Sequence, residues 1–366
     1  METNAPPADP APGRRARSDI LVDLVGIPEN PVPPGAVPMR LSTEDGLGLR
    51  AARWRPSTPI ERGTVCILQG RAEAIEKYFE TIGELRRRGF SVVTFDWRGQ
   101  GRSEREVKNP RKGHVRDFAH YLRDLEAVRA QVLEPFMPRP HFGLAHSMGG
   151  AIALFAAQQE RLPFDRLVAT TPMIDLCMVK APKATALAAR LLTLFGLGRN
   201  FVPSGGETSI ATNPFSGNRL TSDPRRYARN AAAMAALGDG AIGDPTLAWL
   251  DAAYRLMARF VDPRFPREVR VPTLVVAAGA DPICATPAIE RFAARLKAGH
   301  AIVLPGALHE ILMERDEIRD LFWAAFDAFV PGTPDRAFGR SAGQKGEGGL
   351  VDPAVAGGDD RAAAGG

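Results

Sequence analysis

Three side chains far apart in the chain, Ser147, Asp281 and His309, are of the types that together turn a hydroxyl into a nucleophile. A neutral serine attacks poorly and needs a base that is itself held by an acid. Ser147 lies in "HFGLAHSMGG", with Ala145 two positions before it, Gly149 two after it and Gly150 next. A hydroxyl in an ordinary loop needs no small neighbours. One mounted on a sharp strand-to-helix turn does, because bulk at either position collides across the turn. An apolar run precedes the serine and "MGGAIALFAAQQE" follows with a helical pattern, so the context is strand, turn, helix.

For a nucleophile on such a turn, the acid and then the histidine are expected later in the chain, each on a loop after a strand. "VVAAGADPICATPAIE" places Asp281 just past a strand, and "HAIVLPGALHEILM" places His309 just past the last one. Asp175, after "RLVATTP", is the rival acid, and Asp281 is also readable as a turn aspartate before Pro282. His300 opens a strand and falls at the wrong end of the sheet; His114 and His120 belong to a helical region before the nucleophile, and His141 begins the nucleophile's strand. His146 is expected to point away and to be structural. Acyl transfer also needs two donors for the oxyanion. The backbone N–H of Met148 is one; the other is expected from Arg71 in "ILQGRAEAIEKY", where Gly70 permits a close turn.

The elements that must carry these residues alternate. "MRLSTEDGLGLRAARW" reads as a hairpin turning at Glu44-Asp45-Gly46, followed by strand-like runs over 64–69, 91–97, 139–146, 166–172, 271–279 and 300–306. The later runs are almost continuously apolar, as strands buried on both faces must be. Helical patterns separate them, which predicts an α/β fold with a mostly parallel, doubly wound sheet. Between 173 and 266 no strand is evident, only helical pieces such as "KATALAARLLTLFGLG" and "TLAWLDAAYRLMARF". That is too long for a loop. It reads as a helical cap over the strand ends, where ligands bind in open α/β sheets. The expected organisation is a disordered extension over 1–34, core over 35–172, cap over 173–266, core over 267–330 and a disordered Gly-rich tail over 331–366.

Composition narrows the class. Of the 366 residues 45% are apolar and 24% charged, as in a globular protein, and no apolar run reaches the ~18 residues of a spanning helix. The first nineteen residues, "METNAPPADPAPGRRARSD", contain no apolar core of an export signal. The net charge of +5 is spread along the chain, which speaks against a nucleic-acid partner. Cys66, Cys177 and Cys284 form no metal or redox motif, and a cytoplasmic setting is expected. The apolar segment "ALAARLLTLFGLG" leaves peripheral contact with the inner membrane as a further expectation. Oligomeric state is not legible.

"LQGRAEAIEKY", "FDWRGQGRSER", "LAHSMGG", "NRLTSDPRRY", "GADPICATPAIERF" and "PGALHEILMERDEIRD", in this order, resemble the bacterial lysophospholipase L2 and monoacylglycerol-lipase-like branch of the α/β-hydrolases, with a serine aminopeptidase S33-type hydrolase domain. The resemblance runs from about Pro38 to Val330. It implies a Ser–Asp–His esterase that releases one acyl chain from a glycerol-based lipid, a lysophospholipid or a monoacylglycerol, without metal or organic cofactor. Carried onto this chain it gives Ser147, Asp281 and His309, with Arg71 and Met148 at the oxyanion and Ala145 and Gly149 shaping the elbow. The chain departs from the pattern in "QGRAE", where monoglyceride lipases usually carry His-Gly, and in Ala145, where glycine is commoner. Two other readings stand beside it. An aminopeptidase would need a carboxylate in the cap for a free amine, for which Asp244 and Asp262 are candidates. A non-catalytic ligand-binding module is the third.

Overall fold

The computed structural model describes residues 22–331. A hairpin of β1 (Val37–Ser42) and β2 (Gly48–Trp54) turns through Glu44-Asp45-Gly46, where Gly46 takes a positive φ and Thr43 Oγ donates to Asp45. Then β3 (Thr64–Leu68), α1 (Phe79–Arg87), β4 (Ser91–Phe95), α2 (Ala119–Val128), the short α3 (Glu134–Phe136), β5 (His141–His146), α4 (Met148–Gln158) and β6 (Arg166–Thr170) follow. After β6 come α5 (Pro182–Leu194), α6 (Pro224–Leu237), α7 (Leu247–Phe260) and the short α8 (Phe265–Glu268). The chain closes with β7 (Thr273–Ala278), α9 (Thr286–Ala293), β8 (Gly299–Leu304) and α10 (Asp316–Phe329).

The eight strands form one sheet in the order β1-β2-β4-β3-β5-β6-β7-β8, antiparallel through β2·β4 and parallel from there on. Strand periodicity divides its side chains. Cys66, Leu68, Val93, Ala145, Leu167 and Val275 face a cluster built on α2, α4, α7 and α9. Their neighbours Val65, Ile67, Val92, Leu144, Val168 and Leu274 face α1 and α10. Helices therefore cover both faces, as the continuous apolar runs demanded. β8 pairs only with β7 and leaves His300, Ala301 and Val303 exposed, so its apolar run marks an edge. α4 has every residue from Met148 to Ala157 buried, because it lies between the sheet and further helices.

The segment between β6 and β7 contains helices and only isolated bridges. It is not a separate layer. Trp249, Leu256, Met257 and Phe260 of α7 and Phe265 of α8 belong to the buried cluster that also holds α4 and α9. Phe260 and Phe265 stack against Phe292 of α9 at 5.6 and 6.1 Å. α6 starts cleanly because Asp223 accepts the amides of Arg225 and Arg226 and Pro224 occupies the first turn.

The expectation of disorder over 1–34 is corrected for residues 22–34. Most of their bonds are made by backbone groups, which composition does not reveal, and Asn30 adds a side-chain bond to the Glu76 carbonyl. The Asp23 carbonyl accepts from Arg50 and Arg102, the Val25 amide donates to Glu76, and the Pro33 carbonyl accepts from Trp54 Nε1. Val25 and Ile27 pack against Ala233, Met234 and Leu237 of α6. Residues 1–21 and 332–366, where the remainder of that extension and almost all of the expected tail fall, lie outside the described residues.

Glu76 anchors this segment and also pairs with the fully buried Arg50 at 2.7 Å. Removing one partner of a buried ion pair leaves the other charge under-compensated. Glu76→Ala is expected to cost about 3–5 kcal/mol in a denaturant titration, with Glu76→Gln costing less; an Ala variant as stable as the parent would show that the pair carries no weight.

Candidate active site

Ser147 caps the start of α4 with φ 50° and ψ −114°, a conformation that an L-residue adopts only under constraint. The constraint is visible. Its amide donates to the Thr170 carbonyl at 3.0 Å, and its own carbonyl accepts from Ala151 and Met173. A Cβ at Gly149 would stand 2.4 Å from the Leu68 carbonyl oxygen and 2.5 Å from that of Gln69. One at Gly150 would lie 2.9 Å from Pro172 Cβ. Ala145 is fully buried in β5, so its methyl is accommodated where the commoner residue is glycine.

The loops after β7 and β8 bring the other two side chains to this turn. His309 Nε2 lies 2.9 Å from Ser147 Oγ, and His309 Nδ1 lies 2.8 Å from Asp281 Oδ2. An ionised carboxylate only accepts, so the Asp281 contact places the proton on Nδ1 and leaves Nε2 free to accept from the serine. The other carboxylate oxygen, Asp281 Oδ1, accepts the amides of Ile283 and Cys284 at 2.8 and 3.0 Å. One carboxylate oxygen is thus spent in the turn, and the other faces the imidazole. Burial works to raise the Asp281 pKa, but the His309 contact and the two amides outweigh it and the group is held below the ordinary carboxylate range. The His309 carbonyl accepts from Thr171 Oγ, which pins the imidazole-bearing loop to the end of β6.

The rival residues are elsewhere. Asp175 accepts its neighbour's amide at Leu176. His114 is buried against Thr246 at the start of α7, in a loop ahead of α2 rather than in a helix, and His141 and His300 begin β5 and β8. His146 does differ from expectation. It makes no bond to Ser147, yet its ring packs 5.0 Å from that of His309, with Nδ1 near Thr170 and Thr171.

The loop after β3 carries Arg71. Among the described residues neither the Arg71 nor the Met148 amide donates to a protein acceptor. Three side chains that sequence reasoning missed hold this loop open. Gln100 accepts from the Ala72 amide and donates to the Gly70 carbonyl, Trp97 Nε1 donates to the Gln69 carbonyl, and Glu73 accepts the Gly70 amide. Trp97 and Gln100 come from "FDWRGQGRSER", a motif noticed but given no part in the site. Gly101 in it is obligatory, since a Cβ there would fall 2.1 Å from Asp96 Cγ.

Glu73 belongs to a sealed charge cluster. It accepts from Tyr78 and Lys77, each at 2.6 Å, and Lys77 reaches Glu310, the residue after His309, also at 2.6 Å. Burial opposes every charge here. The two carboxylates nevertheless raise the Lys77 pKa, and although burial works to raise that of Glu73, Lys77 and His146 bring it down. The Glu310 pKa is raised, because burial and the Glu73 charge exceed the pull of Lys77. One ammonium therefore joins the Arg71 loop to the His309 loop.

Asp281, Cys284 and His309 have donor atoms within 4.8 Å of one another, the one such grouping among the described residues. Two of the three are engaged with each other, and burial drives the Cys284 thiol far up, which makes it a reluctant metal ligand.

The model of the Hydrolase_4 family, described as serine aminopeptidase, S33, matches residues 59–316. Lysophospholipase L2 of Escherichia coli (strain K12) is 32% identical over 293 residues, covering 76% of this chain and 82% of that protein. Monoglyceride lipase of Rattus norvegicus is 33% identical over 153 residues, 42% of this chain and 48% of that protein. Among solved structures, a soluble variant of monoglyceride lipase from Saccharomyces cerevisiae in complex with a substrate analog aligns with TM-score 0.64 at 21% identity, over 81% of this chain and 96% of that one. A carboxyl esterase from Bacillus coagulans aligns with TM-score 0.66 at 20% identity, over 81% and 98%. These two share the fold.

Burial pulls His146 down to about 3 against the Glu73 charge, with His309 and Lys77 adding to the effect, and it pulls His114 down to about 4. The unfolded chain protonates these two histidines near pH 6.5, whereas in the native protein they stay neutral to lower pH. Stability is therefore complete above about pH 6.5 and declines as the pH falls toward 4, His146 alone contributing up to about 1.4 kcal/mol per pH unit. Denaturant midpoints across this range should show a shallower slope for His146→Gln; an identical slope would mean that His146 takes up its proton freely in the native state.

Proposed function

Because the chain belongs to the Hydrolase_4 family (serine aminopeptidase, S33), we propose that it hydrolyses the carboxylic ester of a single-chain lipid through an acyl-serine. The observation that carries this reading is the unbroken bond sequence Ser147–His309–Asp281 beside two unspent amides. His309 Nε2 takes the hydroxyl proton as Ser147 Oγ attacks the ester carbonyl, and Asp281 steadies the imidazolium. The Met148 and Arg71 amides receive the oxyanion. His309 then gives its proton to the departing glycerol oxygen. Water, activated by the same imidazole, releases the fatty acid and restores the serine. His146, neutral at physiological pH, puts no like charge beside the imidazolium while it exists.

The lipid part of the reading draws on relatives that are a lysophospholipase and a monoglyceride lipase. A cavity of about 590 Å³ supports it. Ile174, Tyr254, Met257, Phe260, Ala288 and Phe292 supply its apolar lining, and Asp175, Lys183, Arg291 and Arg295 also border it; Ile174 follows Met173, whose amide holds the Ser147 carbonyl. An acyl chain placed there gains about 0.8 kcal/mol for each methylene removed from water. An amine-binding carboxylate has less support: Asp244 is occupied by the Gly206 amide, and the half-exposed Asp262 pairs with Arg264.

The same reading extends to a lipid surface. No helix among the described residues is long and apolar enough to cross a membrane. α5 buries only Ala189 and exposes Leu187, Leu191 and Leu194 along one face, with Phe195 80% exposed beyond it. Residues 176–206 carry Lys180, Lys183, Arg190 and Arg199 and no acidic residue. An apolar face ringed by cations suits an anionic bilayer. Such contact would place the protein at a membrane periphery without spanning it.

Ser147→Ala is expected to lower hydrolysis of lysophospholipid and monoacylglycerol by at least about 10⁴-fold and to abolish fluorophosphonate labelling, with an unchanged circular-dichroism spectrum. Turnover at the parental rate would reject the nucleophile; hydrolysis of an aminoacyl amide in preference to both lipids would reject the substrate class. The protein should co-sediment with phosphatidylglycerol vesicles more than with phosphatidylcholine vesicles, and a Leu187→Ser, Leu194→Ser, Phe195→Ser variant should lose most of that binding. Undiminished sedimentation would remove α5 as the contact.

A further inference from the structure

The oxyanion duty of Arg71 falls on its backbone and asks nothing of its side chain. That side chain nevertheless runs between the β3 loop and the helical segment. Nη1 donates to the Gly243 carbonyl at 2.9 Å, and the guanidinium carbon lies 5.6 Å from the Trp249 ring. Gly113 makes room for it, since a Cβ there would stand 3.1 Å from Nη1.

The buried and half-buried arginines around it are provided for. Arg50 pairs with Glu76 and Asp96, Arg98 with Asp45 and Asp124, and Arg226 with Glu80 and Asp223. Arg105, which has no carboxylate, places its guanidinium N–H groups on five backbone carbonyls. Arg71 has one acceptor. Among the described residues no carboxylate oxygen comes within ion-pair distance of it, and its remaining nitrogens are neither bonded to protein nor sealed from solvent. Burial already draws its pKa down, with the distant Asp244 charge opposing. A half-enclosed guanidinium without a counter-ion presents a planar fork of donors suited to a phosphate.

We propose that the Arg71 guanidinium binds the phosphodiester of a lysophospholipid head group and so sets a preference for charged over neutral single-chain lipids. The inference rests on the ester-hydrolase reading and deepens it. The covalent geometry agrees. The phosphorus of a 1-acyl lysophospholipid lies as many bonds from its ester carbonyl carbon as Arg71 Cζ lies from the Arg71 amide nitrogen. With the carbonyl oxygen on that amide, a head group extended alongside the arginine side chain would bring its phosphate to the guanidinium. A monoacylglycerol ends in a hydroxyl there and leaves the cation uncompensated.

The test is the ratio of kcat/KM for lysophosphatidylglycerol over that for a monoacylglycerol with the same acyl chain, measured in detergent micelles on the full chain. Arg71→Gln keeps a donor for the Gly243 carbonyl and removes the charge; the ratio is expected to fall at least tenfold. Arg71→Lys keeps a point charge and should hold the ratio within about threefold of the parent. Fluorophosphonate labelling of Ser147 reports whether each variant is folded, and if Arg71→Gln does not label, Arg71→Met takes its place. Equal losses on both lipids would overturn the proposal. So would a ratio that falls instead in Arg291→Gln, Arg295→Gln, which lie at the exposed edge of the acyl cavity. If the parent hydrolyses neither lipid, the ester-hydrolase reading fails and this one with it; if it hydrolyses both and the ratio does not move, only this one fails.

Discussion

The backbone of Ser147 is held where a side chain-bearing residue is strained, and the strain is sustained by contacts that also set the neighbouring machinery. Pairing of β5 with β6 carries the serine amide to the Thr170 carbonyl, while the first turn of α4 takes its carbonyl. Gly149 then presses against the carbonyls of Leu68 and Gln69, the last residue of β3 and the first of the loop that holds Arg71. A single steric requirement thus fixes the hydroxyl and its spacing from the loop that carries Arg71. Strain of about 1–3 kcal/mol persists at such a site only because the surrounding sheet over-determines it.

Electrostatics performs a similar alignment at longer range. The loop with Arg71 and the loop with His309 come from opposite halves of the chain, and the Lys77 ammonium lies between their carboxylates, Glu73 and Glu310. Burying three ionisable groups is costly, and removing any one leaves the others uncompensated. Glu73 spends its second oxygen on the Gly70 amide and the Tyr78 hydroxyl, so the cluster holds backbone as well as charge. The ring of His146 completes the wall behind His309, and its neutrality matters because two adjacent imidazoliums would oppose one another.

The residues legible in the sequence are those whose role is tied to local context. The elbow shows itself through small residues at fixed offsets, and the acid and histidine through their place after strands. Buried parallel strands are readable because both faces are apolar. Glu73, Lys77, Gln100 and Glu310 offer no such signal, since a polar residue reads as solvated until the fold reveals its partner. "AIEKYFETIGELRRRG" looks like one helix but begins as a tight turn over Ile75–Tyr78, because Glu76, Lys77 and Tyr78 all have buried polar partners that a regular helix would not aim together. The segment at 22–34 hid for a related reason: it is tied down mostly by carbonyls and an amide, groups every sequence has.

The helical stretch between β6 and β7 divides by energy rather than by sequence position. Displacing α7 would expose Trp249, Leu256, Met257 and Phe260, each large apolar side chain costing about 1.5–3 kcal/mol. α5 fully buries one alanine, and it packs on α7 with half-exposed Arg190 reaching the buried Asp251. The two helices therefore serve different ends although composition makes them look alike. α7 supplies the wall on which the Trp249 ring faces Arg71 and from which Met257 and Phe260 line the neighbouring cavity. α5 keeps its apolar side outward, so its leucines contribute little to the core and are left free to meet another apolar surface.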